Sequence, residues 1–371
     1  MHGGQVALDD MAEPAEVPAS PGRRRRLRRV VIAVFVVVAA VPVWNAAGLW
    51  WTWRNVEREP LDMVAFSELP PPPKVEALAQ EEDLPAAAAE SFFVEPPPTQ
   101  EEADAYDAYD TYMVVGSDVG DHRADVIVLV LLPHDGSDPL MVSLPRDLYL
   151  PNRCTQGLTR INANYNGCGD INGATQLAGA VKDFTGIEVD HFVLFTMDGF
   201  EAVIDRLGGT EICVEHPVRD NPHVDFPAGC TIVDGAGALG WVRSRYTEEY
   251  VDGRWRTMPG VSDFTRNERQ QKLILSMLDR AAEFESPREM IDLAESMAGA
   301  FTLDNDLGLA AAVNLGWTHR HVRPDDVTRM RIPVVDYVTS GGAQVLLPIV
   351  PFDELLEAQL AGTPIAGGTY D

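Results

Sequence analysis

An uncharged run of 20 residues, Val30–Leu49, constrains this chain more than any other feature of its sequence. A helix of that length spans roughly 30 Å, the thickness of the hydrocarbon core of a bilayer. Six arginines lie within residues 23–29, and a basic flank of this kind places the N-terminus in the cytoplasm. The pattern predicts an uncleaved signal anchor over residues 30–53, behind a cytoplasmic tail of residues 1–29. A cleaved signal peptide and a buried soluble helix are the two alternatives.

The residues after the anchor are then expected on the extracytoplasmic side, and the chain is expected to cross the membrane once. Four tryptophans at the end of the apolar run fit an aromatic belt at the membrane interface: Trp44, Trp50, Trp51 and Trp53. The formal net charge is −28, whereas nucleic-acid-binding domains present a basic surface. We therefore expect a membrane partner and no nucleic-acid partner.

Residues 54–110 have the composition of a linker. They contain 15 acidic and three basic residues, an alanine tract and two proline runs, Pro70–Pro73 and Pro96–Pro98. Such a segment buries too little apolar surface to offset the entropy lost on ordering. The sequence therefore predicts a disordered linker over residues 54–110 and a folded extracytoplasmic domain over residues 111–371.

Apolar runs alternate with helical patterns in the folded region. The expected strands are Tyr112–Val115, Val126–Leu132, Leu140–Leu144, His191–Met197, Glu211–Val214, Met330–Pro333 and Val345–Val350. The expected helices are Ala174–Phe184, closed by Gly186, a helix capped by Asp198, and a long helix over roughly residues 267–283. Alternation of this kind predicts an α/β domain, with a mixed central sheet flanked by helices.

All four cysteines lie in the region expected outside the membrane: Cys154, Cys168, Cys213 and Cys230. An even number of cysteines in an oxidising compartment indicates disulfide bonds. Neither local pair has the close spacing of a zinc site. Pairing of sequence neighbours is the simplest arrangement, although three connectivities are open.

Polar residues cluster directly after the predicted strands, where α/β folds place their sites. The clusters are Gly116-Ser117-Asp118, Arg123-Ala124-Asp125, Ser143-Leu144-Pro145-Arg146-Asp147, Arg243-Ser244-Arg245 and Asp263–Gln270. Arg266, Arg269 and Gln270 share one face at the start of the long helix because they are three and four residues apart. Cations there oppose the helix dipole, so an anionic ligand is expected beside them.

These blocks, in this order, resemble the LytR-CpsA-Psr family of cell-wall ligases over roughly residues 112–280. Three further blocks join the resemblance: Arg160-Ile161-Asn162, Leu207-Gly208-Gly209 and the Ala238-Leu239 pair ahead of Arg243. The resemblance implies transfer of a polyprenyl-pyrophosphate-linked glycopolymer to peptidoglycan through a phosphodiester bond. It also implies an apolar pocket for the polyprenyl chain and a divalent metal, Mg2+ or Mn2+. We expect the mouth of that pocket to be ringed by Arg146, Arg243 and Arg266.

The family's roles fall on the matching positions of this chain. Asp118 and Asp125 match the acids near the metal. Asp118, Arg243 and Arg266 are the predicted catalytic residues. The groups expected around the pyrophosphate are Arg123, Arg146, Arg243, Arg245, Arg266, Arg269 and Gln270. The general base stays unassigned, and residues 246–261, which look longer than a minimal connection, have no predicted role.

Two other functions are compatible with the same residues. A non-catalytic binder of lipid-linked precursors would regulate envelope assembly without turnover. A polyprenyl pyrophosphatase would use water instead of a sugar hydroxyl as the acceptor. Arginines suit all three because their planar guanidinium groups bind phosphate oxygens in pairs.

Overall fold

A computed structural model describes the chain at residues 54, 56–74, 78, 84–85, 87–88, 91, 108–117, 124–220, 222–244, 246–258, 269, 272–276, 280, 283, 286, 288–289, 291, 293 and 301–365. The chain separates into two units, Met1–Trp51 and Thr52–Asp371, and every described residue belongs to the second. Among the described residues, no helix combines the length and the apolar character needed to cross a bilayer. The predicted anchor, residues 30–53, lies outside them.

The described part of the chain contains both strands and helices. The strands are β1 (Glu57–Arg58), β2 (Tyr109–Ser117), β3 (Val126–Pro133), β4 (Leu140–Ser143), β5 (Tyr149–Asn152), β6 (Gly157–Arg160), β7 (His191–Thr196), β8 (Thr210–Val214), β9 (Val218–Arg219), β10 (Asp225–Phe226), β11 (Gly229–Val233), β12 (Glu248–Val251), β13 (Arg254–Thr257), β14 (Phe301–Leu303), β15 (Thr328–Arg331), β16 (Val334–Val338) and β17 (Gln344–Pro348). The α-helices are α1 (Met63–Ser67), α2 (Gly173–Thr185), α3 (Met197–Arg206), α4 (Gly235–Arg243), α5 (Leu309–Thr318) and α6 (Phe352–Leu360).

A seven-stranded sheet organises the domain, in the order β1-β14-β7-β2-β3-β4-β15. It is mixed: β2 lies parallel to β7 and antiparallel to β3. This confirms the predicted α/β class with a mixed central sheet. The C-terminal strands β14 and β15 belong to the same sheet, so the last part of the chain completes this domain.

The central strand β3 is buried on both faces, as its continuous apolar run predicts. Ile127, Leu129 and Leu131 face the main core, which also contains Leu177 of α2 and Phe352 of α6. Val126, Val128 and Val130 alternate with them and face the opposite side of the sheet. Since side chains alternate along a strand, β3 contributes apolar side chains to the main core on one face of the sheet and to a second apolar cluster on the other face.

Capping residues set the end of α2 and the start of α3. Gly186 closes α2 in the left-handed conformation, with φ 74°, as expected for a glycine after a helix. The sequence placed the cap of the next helix at Asp198, but Thr196 has this role. Its side chain accepts a hydrogen bond from the backbone N–H of Gly199 at 3.1 Å, so α3 follows β7 directly and needs no loop.

The structure corrects the linker prediction for residues 56–74. Strand β1 pairs in parallel with β14, and Glu59 accepts a hydrogen bond from the N–H of Ala174 at 3.0 Å. Phe66 of α1 occupies the space where a Cβ at Gly179 of α2 would lie, 2.2 Å from the ring. This local burial holds the segment in place despite its acidic and proline-rich composition.

Two disulfide bonds, Cys154–Cys168 and Cys213–Cys230, confirm the disulfide prediction and pair sequence neighbours. Cys213 and Cys230 lie opposite each other in the antiparallel pair of β8 and β11. Their sequence separations are 14 and 17 residues. Cross-links closing loops of this size stabilise a fold by about 3 kcal/mol each in the chain-entropy model.

Candidate functional site

One edge of the sheet gathers the ends of three strands. Strands β2, β4 and β7 finish there, with Ser117 of β2 in register with Thr196 of β7. Strand β3 starts at the same edge, because Gly116 pairs with Val126. The carboxyl ends of neighbouring strands are where α/β folds place ligands. The Asp118 and Asp125 blocks therefore join the sheet at the edge that the sequence analysis indicated.

An ion-paired cluster lies at this edge. Arg146, just after β4, donates from Nη1 to Oδ1 of Asp125 at 2.6 Å and from Nε to Oδ2 of Asp147 at 3.3 Å. Arg160 reaches the other oxygen of Asp147, also at 3.3 Å. The backbone N–H of Asp125 is bonded to the carbonyl of Gly116 at 2.8 Å. The structure thus unites Asp125 and Arg146, two predicted site residues, and Asp147 braces the loop that carries Arg146.

Arg243 occupies the last turn of α4, with its side chain exposed. A cation at this end of a helix interacts favourably with the helix dipole. Arg243 borders a small apolar cavity of about 20 Å³ together with Val126, Phe195 and Phe200. Val126, which directly follows Asp125 in the sequence, is thus in the same cavity lining as Arg243.

A close approach between β2 and β7 shapes this cavity. A Cβ at Gly116 would lie 2.8 Å from the ring of Phe195, so only glycine admits that ring at this distance. The ring stacks in turn on Phe200 of α3, at a centroid separation of 5.5 Å. The glycine of the Gly116-Ser117-Asp118 block therefore has a packing role that sequence reasoning missed.

Arg269 is buried, with 8% of its surface exposed. Its guanidinium lies 4.0 Å from the centroid of the Trp241 ring and donates to the Trp241 carbonyl and the Thr247 hydroxyl, each at 3.3 Å. The sequence analysis placed Arg269 among the groups around the pyrophosphate, and that role stays a prediction. The structure shows it bracing the end of α4 and the loop that follows, which positions Arg243.

A second pocket, of about 480 Å³, lies beside Arg269. Its lining includes Glu211 of β8, Trp241 of α4 and Lys272. Of the residues predicted around the pyrophosphate, Arg269 is in its described lining. Asp125 and Arg146 are not in that lining.

The remaining predicted residues of the site lie outside the described residues. They are Asp118, Arg123, Arg245, Arg266 and Gln270. Ser117 and Ala124, which border the Asp118–Arg123 segment, are described and buried. The roles predicted for these five residues stay predictions.

A large apolar cavity of about 370 Å³ lies on the second face of the sheet. Its lining includes Tyr112, Val114, Val130, Met141, Val193, Ile274, Ala312, Leu315, Gly316, His319, Arg320 and Val327. Ile274 also lines the small cavity at Arg243, so the two cavities share a wall. The sequence analysis predicted a cavity with a mouth of Arg146, Arg243 and Arg266. Arg243 borders the small cavity, and Arg146 is in the lining of neither.

Helix α5 forms one wall of the large cavity, a role that sequence reasoning missed. Ala312 and Gly316 lie four residues apart on α5 and both line the cavity. Small residues at this spacing share one helix face and leave room between helix and sheet. That spacing is the signal in the sequence that could have identified the wall.

A buried acid pairs with a histidine at the opposite end of β2 and β7. Asp304 accepts hydrogen bonds from the N–H groups of Phe192, Asp306 and Leu307 at 2.9, 2.7 and 2.7 Å. His191 Nδ1 lies 3.3 Å from Asp304 Oδ2. The hydrogen bond to Asp304 raises the pKa of His191. Burial by itself would raise the pKa of Asp304, but the hydrogen bonds it accepts lower that pKa below its ordinary value.

The same end of the sheet carries a tyrosine with a raised pKa. The ring of Tyr112 lies 5.0 Å from that of His191 and lines the large cavity. Burial, with further contributions from Asp110, Asp190 and Asp304, raises the pKa of Tyr112 to about 12. The phenol is therefore neutral at physiological pH. No sequence pattern indicated this group, because His191 and Asp304 are 113 residues apart.

The donor set at the ion-paired cluster suits a hard cation. Carboxylate oxygens are the ligands that Mg2+ prefers, and Asp125 carries such oxygens in this cluster. Elsewhere among the described residues, one group of potential metal ligands comes together: Glu211, Cys213 and Cys230. Its two cysteines form a disulfide, which leaves a single carboxylate there.

The sequence profile of the LytR_cpsA_psr family matches residues 99–351, which is more than half of the chain. The chain belongs to the LytR_cpsA_psr family. The matched range includes Asp125, Arg146 and Arg243 together with the neighbouring elements β2, β3, β4 and α4.

Two curated relatives and one solved structure illustrate the similarity. A probable cell wall biosynthesis protein LcpB of Corynebacterium glutamicum is 30% identical over 192 residues, which is 51% of this chain and 42% of the relative. A polyisoprenyl-teichoic acid–peptidoglycan teichoic acid transferase TagV of Bacillus subtilis is 27% identical over 181 residues, 47% of this chain and 42% of the relative. The chain thus matches less than half the length of either protein.

A LytR-Csp2A-Psr enzyme from Actinomyces oris has a similar solved structure. The TM-score is 0.55 at 29% identity, over 67% of this chain and 89% of that chain. The similarity therefore extends to most of the solved domain.

Proposed function

We propose that this protein is a membrane-anchored phosphotransferase that attaches a polyprenyl-pyrophosphate-linked glycopolymer to peptidoglycan. Family membership supports the reaction class, and TagV, one relative, is named as a transferase of polyisoprenyl-linked teichoic acid to peptidoglycan. The glycopolymer of this chain is of the teichoic acid, arabinogalactan or capsule type. The anchor over residues 30–53 would keep the domain at the membrane that holds the carrier lipid.

One observation carries this proposal: an exposed arginine beside two neighbouring apolar cavities. Arg243 borders the small cavity, and Ile274 lines both that cavity and the large one. A dry apolar cavity of about 150 Å³ holds one benzene molecule, so about 370 Å³ has room for on the order of 15 carbon atoms, or about three isoprene units. Burial there offsets the loss of bilayer contact by about 0.8 kcal/mol per CH2.

The reaction forms one bond to phosphorus and breaks another. A sugar hydroxyl of peptidoglycan attacks the phosphorus that bears the glycopolymer, and the bridging P–O bond to the second phosphate breaks. Polyprenyl phosphate leaves with that bridging oxygen, and the hydroxyl proton passes to a base. Arg243 and Arg146 would orient the pyrophosphate and stabilise charge on its oxygens, which is the main task of a protein in phosphoryl transfer.

Mg2+ is the proposed cofactor, with Mn2+ as the substitute. Asp125 and Asp118 would hold it through carboxylate oxygens, the donors that this ion prefers. A metal at this position supplies positive charge to the phosphate oxygens. Arg146 holds the Asp125 carboxylate in place through the 2.6 Å contact.

The direct test is a transfer reaction with the full chain in detergent or liposomes. A lipid-linked glycopolymer carrying a label, peptidoglycan oligomers and Mg2+ are combined, and the expected product is label joined to peptidoglycan through phosphate. Binding of the carrier without turnover would establish a non-catalytic binder instead. Release of polyprenyl phosphate with water as acceptor would establish a pyrophosphatase.

The substitution Ala312→Phe tests the lipid cavity. The added ring fills space between α5 and the sheet, so we expect the KM for the prenyl-linked donor to rise about tenfold, equivalent to the burial of about two CH2 groups. A donor analogue without the prenyl tail should show no change. Ala311→Phe is the matched control, since Ala311 lies on α5 but is exposed. Equal KM values for the two variants would exclude the cavity as the lipid site.

A further inference from the structure

The segment without a predicted role, residues 246–261, contains a β-hairpin in its described part. Strands β12 and β13 pair in register, with Tyr250 opposite Trp255. Asp252 and Gly253, at φ 52° and 79°, form the two-residue turn that such hairpins favour. Strand β9 pairs with β12 on its other side, so that Arg219 lies opposite Glu248. The apparent insertion is therefore an ordered part of a small sheet.

One face of this sheet carries two aromatic rings and a guanidinium in contact. We call it the aromatic face: Arg219, Glu248, Tyr250 and Trp255. The rings of Tyr250 and Trp255 lie 5.3 Å apart, and the Arg219 guanidinium stands 4.1 Å from the Trp255 centroid. Glu248 forms an ion pair with Arg219, with 2.8 Å between Oε2 of Glu248 and Nη2 of Arg219. These contacts fix the rings side by side before any ligand arrives.

The opposite face of the same sheet explains why the rings point outward. Val218 and Glu249 are buried there, and Glu249 is ion-paired with Arg256 at 2.8 Å. Because side chains alternate along a strand, Tyr250 and Trp255 must face away from that core. Tyr250 is 41% exposed and the nearby Tyr246 is 78% exposed.

The aromatic face is tied to the loop that follows Arg243. Ser244 hydrogen-bonds to Asp220, next to β9, and to Thr247, next to β12. Arg269 donates to the same Thr247 hydroxyl at 3.3 Å. Tyr250 lies seven positions beyond Arg243, at most about 25 Å of extended chain. The aromatic face is therefore within about 25 Å of Arg243.

From this arrangement we propose that the aromatic face binds the glycan backbone of the acceptor, a polymer of amino sugars, and directs a sugar hydroxyl toward Arg243. The inference rests on the proposed transfer function and adds the site of its second substrate. Tyr and Trp rings combine an apolar surface with a polar tip, which matches a pyranose ring with its C–H face and hydroxyl rim. Arg219 and Glu248 flank the rings with hydrogen-bonding groups.

Size and charge separate this occupant from others. An aromatic side chain buries about 150–250 Å², so two rings provide less than the roughly 800 Å² per partner of a stable protein interface. Arg219 and Glu248 neutralise each other, although the whole chain has a net charge of −28. A neutral, ring-bearing face of this area fits one or two sugar residues.

Binding of peptide-free glycan strands of peptidoglycan to the full chain tests the proposal. We expect the double variant Tyr250→Ala/Trp255→Ala to bind them about tenfold more weakly, as for truncation of an aromatic hot spot. Trp255→Phe should retain most of the affinity, because it keeps a ring. Arg254→Ala is the matched control, since Arg254 is exposed on the same hairpin but lies opposite Val251.

Affinity for the lipid-linked donor, measured on the same proteins, shows whether the double variant is folded and should be unchanged. In the transfer assay, the double variant should raise the KM for peptidoglycan and leave the donor KM unchanged. Unchanged glycan affinity and acceptor KM would overturn the inference while leaving transfer intact. Glycan binding at this face without any transfer would overturn the proposed function alone. A change in oligomeric state with unchanged glycan binding would assign the face to a second copy of the chain.

Discussion

Arg243→Ala is expected to lower the rate of glycopolymer transfer by about 100-fold or more. Removing a charge-assisted donor from a transferring group typically costs about 2.7–4 kcal/mol of transition-state stabilisation. The fold should survive, because Arg243 is the exposed last residue of α4. Transfer of labelled glycopolymer from the lipid carrier to peptidoglycan oligomers measures the effect.

Arg254→Ala is the control for this variant. Arg254 lies eleven residues beyond Arg243 and is exposed on β13, so its loss should leave transfer at the wild-type rate. Wild-type activity in Arg243→Ala would refute the site assignment. An equal loss in both variants would show that the effect reflects general charge and not this site.

Asp304→Ala is expected to destabilise the domain by about 3–5 kcal/mol. The substitution leaves three backbone N–H groups without their acceptor and removes the partner of His191. The Asp304 side chain is 1% exposed, so water replaces these hydrogen bonds poorly. Chemical denaturation of the full chain in detergent measures the free energy of unfolding.

Asp306→Ala provides the matched control. The Asp306 side chain is exposed, and its backbone N–H, which bonds to Asp304 at 2.7 Å, is retained by alanine. We expect a change in unfolding free energy within about 0.5 kcal/mol, as for surface substitutions. Equal destabilisation by both substitutions would disprove the assignment of Asp304 as the acceptor that organises this corner.

The His191–Asp304 pair predicts how the free energy of unfolding changes with pH. The pKa of His191 is raised above 6.5 in the folded state, so its contribution is complete below about pH 6.5 and is lost as the pH rises through the raised value. The pKa of Asp304 is lowered below 3.8, so its contribution is present above about pH 3.8 and is lost as the pH falls through the lowered value. In Asp304→Asn, the free energy of unfolding should change less with pH, both as the pH rises through the His191 pKa and as it falls through the Asp304 pKa. An unchanged profile would contradict the pairing.

Local patterns were sufficient for most of the central sheet. The apolar run at Val126 predicted β3 because a strand buried on both faces needs apolar residues at consecutive positions. Gly186 predicted the end of α2, since a left-handed residue after a helix favours glycine. The blocks around Asp125 and Arg146 were placed at one sheet edge by the order of strands alone, and the structure joins these two residues at 2.6 Å.

Composition misled the reading of residues 56–74. Prolines and acidic residues made this stretch resemble coil, because composition averages over positions. A single ring, Phe66, and the gap at Gly179 hold it to α2, and β1 extends the sheet beside β14. Neither partner is detectable from the segment itself.

The sequence by itself determined the α/β class, the cysteine content and the ordered blocks of the family, because side-chain period, capping and motif spacing are properties of neighbouring residues. The tertiary structure decided which cysteines pair, which groups Arg269 contacts, and that a cavity opens beside Ile274. It also joined His191 to Asp304 and placed Tyr250 beside Trp255 on an outer face. These features depend on contacts between segments that are distant in the sequence or joined by a tight turn. A local sequence pattern does not identify the partners in such contacts, so it does not predict them.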